Sequence, residues 1–124
     1  VSPDISLVSG IPNSDIVDFV FNKNAKDVKE IRYSLVYDQK KLQFGENLSH
    51  FEGCSIDTQQ VNPLLLSVAL RCNKSQDFEK DIPIISHTIT HINNSKDAVI
   101  NIVSIEFTTK DGSVYELAGK SKVY

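Results

Sequence analysis

The chain lacks several features that would mark particular classes of protein. It has no Trp and no Met, only five Gly and four Pro, and no apolar run near the roughly 18 residues that span a bilayer. The aliphatic run Leu64-Leu65-Leu66 has three residues. A membrane-spanning helix is therefore not expected within this chain, and the missing Met predicts a mature or trimmed fragment.

Positive charge is scarce and dispersed. Thirteen Lys and Arg against sixteen Asp and Glu give a net charge of −3, and no basic cluster is longer than Lys40-Lys41. Nucleic-acid-binding domains display a basic patch or stripe, so we do not expect a nucleic-acid partner. The five glycines are separated along the chain and form no phosphate-binding loop.

Patterns for catalysis and metal binding are also missing from the sequence. No serine lies in a Gly-x-Ser-x-Gly elbow. The two cysteines form no Cys-x-x-Cys knuckle, which a thiolate zinc site would need. The acidic run of Asp77, Glu79 and Asp81 lacks the further oxygen ligands and the fixed Gly of an EF-hand. We therefore expect no enzyme, no cofactor and no metal.

The sequence contains a series of short segments of β type. An apolar fraction of 40% and a length of 124 residues suit one core and one domain, 1–124. In the clearest segment, Tyr33, Leu35 and Tyr37 alternate with Arg32, Ser34 and Val36, a period of two that is typical of a strand with one buried face. Turn signals recur roughly every 8 to 12 residues. We predict an all-β fold, an antiparallel β-sandwich of jelly-roll topology with about eight or nine strands.

Several stretches are predicted to be turns or to be irregular. They are residues 10–14, with Pro12 and Asn13; residues 45–61, which show no period; and the charged residues 73–81. Asp111-Gly112 predicts a hairpin with a type I′ turn. Residues 98–104 and 105–109 are predicted to be two strands or one bent strand.

Two interpretations of Cys54 and Cys72 compete. A disulfide between them would close a loop with 17 residues inside it and would stabilise the fold by about 3 kcal/mol. Alternatively, the two are unrelated buried thiols of a cytosolic protein. The even count in a small β-rich domain favours the disulfide, and with it a secreted, periplasmic or cell-surface location.

His87 and His91 occupy a segment rich in β-branched residues. On a helix they would be neighbours able to chelate a metal, but on a strand they share a face and lie about 13 Å apart. The strand is favoured, because Thr88, Ile89 and Thr90 separate them. The sequence leaves open whether the histidines or the hydroxyl-bearing alternate positions face solvent.

The order and the residue patterns of these segments resemble a cohesin-type module, the β-sandwich of cellulosome scaffolds and other bacterial and archaeal surface proteins. Residues 16–21 resemble the early strand of that family. Residues 33–44 are similar to its most recognisable motif. That motif consists of an alternating strand that ends in Tyr37-Asp38, then a turn, and then Leu42-x-Phe44. Residues 84–92 resemble a late Thr-rich strand, and residues 98–114 the closing strand pair and hairpin.

The resemblance implies binding rather than catalysis. Cohesins present one flat sheet face to a partner protein, here the outward positions near residues 32–36, 66–71 and 84–92. The candidate binding residues are Arg32, Ser34, Val36, Ser67, Arg71, His87 and His91. The expected role is protein–protein contact in a surface, adhesion, pilus, secretion or scaffold assembly.

Two other functions remain open at this stage. A carbohydrate-binding module shares the jelly-roll layout, but glycan binding needs exposed aromatic rings, and the alternation assigns Tyr33 and Tyr37 to the core. A secreted inhibitor could act through end loops such as residues 45–60. Neither alternative has a motif of its own in the sequence.

Overall fold

The computed structural model describes residues 5–9 and 16–124, and ten β-strands lie within them. The strands are β1 (Ile5–Ser9), β2 (Ile16–Phe21), β3 (Ala25–Tyr37), β4 (Leu42–Ser49), β5 (Cys54–Asn62), β6 (Leu65–Phe78), β7 (Ile85–His91), β8 (Val99–Thr109), β9 (Val114–Leu117) and β10 (Lys120–Val123). A 3-10 turn, Ile92–Asn94, follows β7. The prediction of an all-β antiparallel sandwich is confirmed.

The strands form two sheets. The four-stranded sheet has the order β1-β2-β7-β4, and the six-stranded sheet has the order β10-β8-β3-β6-β5, with β9 also paired to β8. Every pairing is antiparallel. The chain passes from the six-stranded to the four-stranded sheet between β6 and β7, so the candidate residues on β3 and β6 belong to one sheet and those on β7 to the other.

Aromatic rings pack between the two sheets. The ring of Phe19 on β2 stacks on Tyr33 of β3, with centroids 4.3 Å apart. Phe21 on β2 meets Phe78 of β6 and Phe107 of β8 edge to face at 6.0 and 5.6 Å. These side chains are at most 4% exposed, so the core lies between the sheets.

The alternation in β3 is confirmed. Tyr33, Leu35 and Tyr37 are buried in the core, whereas Arg32 and Val36 lie on the opposite face, exposed and half-buried respectively. Because successive strand residues point to opposite faces, the outward row of β3 is available for binding.

The segment after residue 98 is one strand with a bulge. β8 is continuous, but its register against β3 shifts, so that Val103 pairs with Ser34 and Glu106 with Arg32. Ser104 is in the left-handed region, with φ of 53°. The extra residue restores the alternation, so that Ile102 and Ile105 both reach the core.

The predicted turns are met only in part. The hairpin at residues 110–113 forms, but only Gly112 has positive φ (88°), so a type I turn followed by a left-handed glycine replaces the predicted type I′ turn. β6 continues through most of the predicted loop, because Phe78 is buried and pairs with Ala25. The turn predicted at residues 10–14 lies outside the described residues.

Residues 45–61 are also more regular than predicted. They contain the end of β4 and nearly all of β5. Only Cys54 and Ile56 of β5 are half-buried, and its remaining residues are exposed. An edge strand exposed on both faces shows no hydrophobic period, which explains why the sequence pattern missed it.

Candidate binding surface

The outward side chains of the six-stranded sheet form one continuous surface, here called the outer face. Ser34 on β3 lies opposite Ser67 on β6 and Val103 on β8. One row along the strands, Arg32 lies opposite Ala69 and Glu106. Five of the seven predicted binding residues share this face: Arg32, Ser34, Val36, Ser67 and Arg71.

One end of the outer face is charged. The Arg71 guanidinium lies between Asp57, which its Nη1 contacts, and Glu30, whose Oε2 is 3.8 Å from its Nε. The Arg32 guanidinium also binds Glu30. Exposed ion pairs contribute only about 0–1 kcal/mol, so these contacts orient the side chains more than they stabilise the fold.

The opposite end is apolar, and we call it the apolar corner. Its side chains come from four strands and one turn and include three of the large hydrophobic residues that are about half exposed. They are Val36, Leu64, Leu65, Val99 and Val123. Val36, Leu64 and Val99 line one side of a groove of ≈ 430 Å³, whose other lining residues include the charged Asp38, Lys41 and Asp97. Solitary exposed aliphatic residues are common, but a cluster of this kind is typical of a contact surface.

The turn that presents Leu64 is held by hydrogen bonds. The Tyr37 backbone N–H donates to the Leu64 carbonyl at 3.0 Å, and the Leu64 N–H donates to the Asn62 side chain at 2.8 Å. The Gln60 amide donates to the Asn62 and Leu65 carbonyls. These hydrogen bonds attach the β5–β6 turn to β3 and to the end of β5, and they hold Leu64 in place in the apolar corner.

His87 does not belong to a binding surface. The prediction that His87 is a binding residue is wrong, because its side chain points between the sheets and is fully buried. Nδ1 donates to the side-chain oxygen of Asn47, so Nε2 accepts a hydrogen bond of 2.6 Å from the Tyr33 hydroxyl. Burial lowers the pKa of His87 to about 4 and raises that of Tyr33 well above 10.0.

β7 lies in the four-stranded sheet, so its residues cannot extend the outer face. The expectation of one surface built from β3, β6 and β7 is therefore wrong. His91, at the end of β7, is half-buried and lies in that other sheet. On β7, Thr88 and Thr90 are the exposed side chains, which settles the alternative that the sequence left open.

A hydrogen-bonded chain on the four-stranded sheet contains the residue types of a catalytic triad. The Ser86 hydroxyl donates to Asp18, and His50 Nε2 lies 2.6 Å from the same hydroxyl oxygen. In a triad the carboxylate binds and orients the histidine, but here it binds the serine. The arrangement is structural, and the sequence did not reveal it because the three residues come from separate segments.

Metal-binding clusters, membrane spans and the cysteines complete the description of the site. No group of three or more His, Cys, Asp or Glu side chains within it could hold a metal ion. Across the same residues, no helix is long and apolar enough to cross a membrane. The structure joins Cys54 and Cys72 by a disulfide, at positions directly opposite each other on β5 and β6.

Comparison with known proteins identifies the fold. No protein-family model and no curated protein matches the sequence. Among solved structures, a cohesin module from a family 33 glycoside hydrolase of Clostridium perfringens superposes with a TM-score of 0.82 and 14% identity, covering 98% of this chain and 93% of that chain.

Two other solved structures agree. A non-cellulosomal cohesin from the archaeon Archaeoglobus fulgidus has a TM-score of 0.70 and 17% identity, over 99% of this chain and 91% of that chain. The sixth cohesin of Acetivibrio cellulolyticus scaffoldin B, solved with a mutant dockerin, has a TM-score of 0.69 and 14% identity, over 98% and 97%. The chain thus has a cohesin-like fold, which confirms the resemblance found in the sequence.

Proposed function

We propose that this chain, as one module of residues 1–124, is a non-catalytic binding module that docks a partner protein on the outer face. The observation that carries the proposal is the convergence of Arg32, Ser34, Val36, Ser67 and Arg71 on one face of the six-stranded sheet. That surface combines charged, neutral and apolar areas, as protein interfaces do. The Acetivibrio cohesin was solved with a dockerin, so a dockerin-like module is the partner class to test first.

The proposed setting is extracellular. The disulfide between Cys54 and Cys72 is of a kind that persists in oxidising compartments. A secreted, periplasmic or surface-attached module of an adhesion, pilus, secretion or scaffold assembly fits this chemistry.

The other two functions have less support. Tyr33 and Tyr37 are buried, so they offer no stacking surface to a sugar. Residues 45–60, on which an inhibitory loop would depend, are mostly strand. No specific observation favours either function over protein binding.

The test places one bulky residue on each sheet. Ser67→Arg projects a long side chain from the middle of the outer face, and Thr90→Arg does the same from the exposed side of β7. Binding to a panel of purified dockerin modules is measured by interferometry. We expect Ser67→Arg to weaken binding at least about tenfold, because it blocks close contact, and Thr90→Arg to leave it unchanged.

The opposite pattern, or equal effects of the two variants, would place any binding elsewhere and refute the outer face as the docking surface. Circular dichroism of both variants confirms that each is folded.

A further inference from the structure

The outer face carries an uncompensated pair of acidic side chains. Glu106 on β8 and Glu116 on β9 lie directly opposite each other. Glu106 points outward because its neighbours Ile105 and Phe107 are buried. Glu116 does so because its neighbours face the core side of β9, where Tyr115 stacks on Phe107 and Leu117 packs against the core. Like charges directly opposite each other on adjacent strands destabilise the pairing.

Nearby arginines do not neutralise this pair. Arg32 lies opposite Glu106 in register, but its guanidinium binds Glu30. Arg71 binds Asp57 and Glu30. Among the described residues, neither Glu106 nor Glu116 forms an ion pair.

The whole charged end therefore has an excess of negative charge. Its carboxylates are those of Glu30, Asp57, Glu106 and Glu116. Its cations are the guanidiniums of Arg32 and Arg71 and the ammonium of Lys29, which donates to the Asn73 carbonyl. An apolar side chain lies beside the acidic pair. Val114 is two residues before Glu116 on the same side of β9 and is 56% exposed. It offers an apolar contact for the aliphatic stem of an incoming Lys or Arg.

We propose that the partner is a protein whose contact surface is basic at one end and apolar at the other, with a Lys or Arg held between Glu106 and Glu116 and apolar side chains on the apolar corner. This inference rests on the proposed function. It assigns β9 to the binding surface, which no sequence pattern did.

The spacing suits one helical element of the partner. Arg32 lies in the same row across the strands as Glu106 and Glu116. Along β3 it is four residues from Val36, a distance of about 13 Å, and across the sheet β9 is two strand spacings, about 10 Å, from β3. The diagonal from Val36 to Glu116 is thus about 16 Å, which a helix of about three turns covers.

The first experiment uses dockerin modules whose contact surfaces range from acidic to basic. Interferometry compares the wild type with Glu106→Gln/Glu116→Gln and with the control Glu46→Gln/Glu52→Gln, which removes two exposed acids outside the outer face. We expect basic modules to bind most tightly. The outer-face double variant should weaken their binding about tenfold and reduce its dependence on salt, while the control should not.

The outcomes separate the two proposals. If Ser67→Arg abolishes binding but Glu106→Gln/Glu116→Gln leaves it unchanged, the outer face docks a partner without using the acidic pair, and this inference fails alone. If Ser67→Arg has no effect on any module that binds, the proposed function fails.

A second measurement needs no partner. Removing the repulsion should raise the melting temperature of the Glu106→Gln/Glu116→Gln variant by about 2 °C, whereas the control variant should melt as the wild type does. A melting temperature that stays the same or falls would show that the pair is not in conflict in the free protein and would overturn the inference.

Discussion

At the scale of single residues, His87 joins the two sheets through polar atoms. Its Nε2 accepts from the Tyr33 hydroxyl of the six-stranded sheet, and its Nδ1 donates to Asn47 on β4. Each ring nitrogen thus has a partner, as a buried imidazole requires. Because burial lowers the pKa of His87 to about 4, the ring is neutral at neutral pH.

This depressed pKa predicts a loss of stability in mild acid. An unfolded chain has a histidine pKa near 6.5, so between pH 6.5 and pH 4 the unfolded state binds a proton that the folded state does not. The contribution of neutral His87 to the free energy of unfolding is therefore complete above about pH 6.5. As the pH falls to about 4, the free energy of unfolding decreases by about 3 kcal/mol. Urea unfolding curves between about pH 7 and about pH 4.5 measure it.

The control variants separate His87 from other groups. His87→Gln should remove most of the pH dependence in that window, while His50→Gln, at an exposed position, should keep it. Equal pH dependence in the wild type and in His87→Gln would show that other groups cause the effect.

At the scale of elements, β3 and β5 show how far the sequence determines the site. β3 was predictable because one of its faces is buried, so its alternation identifies Arg32, Ser34 and Val36 as outward. β5 was not, since its exposed edge position leaves no hydrophobic period.

Alternation assigns a residue to a face of its strand but does not assign the strand to a sheet, so grouping β7 with β3 and β6 was wrong. His87 was misjudged for a related reason, because its partners lie 54 and 40 residues away.

Because β5 is only weakly buried, we expect the disulfide to hold this strand against β6. Only Cys54 and Ile56 of β5 pack against the core. Cys54→Ala/Cys72→Ala should lower the free energy of unfolding by about 3 kcal/mol and should speed amide exchange in β5 more than in β3. Hydrogen exchange with mass spectrometry measures both strands in one experiment. Unchanged protection of β5 relative to β3 would contradict a role for the disulfide in holding the edge.

At the scale of the whole molecule, the aromatic core makes the two sheets depend on each other. Phe21 of the four-stranded sheet is fully buried and contacts Phe78 and Phe107 of the six-stranded sheet. Within the described residues, the inner side of the six-stranded sheet packs against the four-stranded sheet, so the outer face depends on this packing. A change in the four-stranded sheet should therefore reach the outer face only by unfolding the whole sandwich.

Phe21→Ala tests this dependence. It should lower the free energy of unfolding by about 3–5 kcal/mol, because it removes a fully buried ring and leaves a cavity between the sheets, whereas Phe51→Ala, at a half-buried position, should cost less. Since the chain has no Trp and four Tyr, tyrosine fluorescence reports on the six-stranded sheet, in which Tyr33 and Tyr37 are buried, and far-UV circular dichroism reports on all strands. The two signals should change together in one transition in urea. Separate transitions would show that the sheets unfold independently, and the outer face would then have to be stabilised by the six-stranded sheet alone.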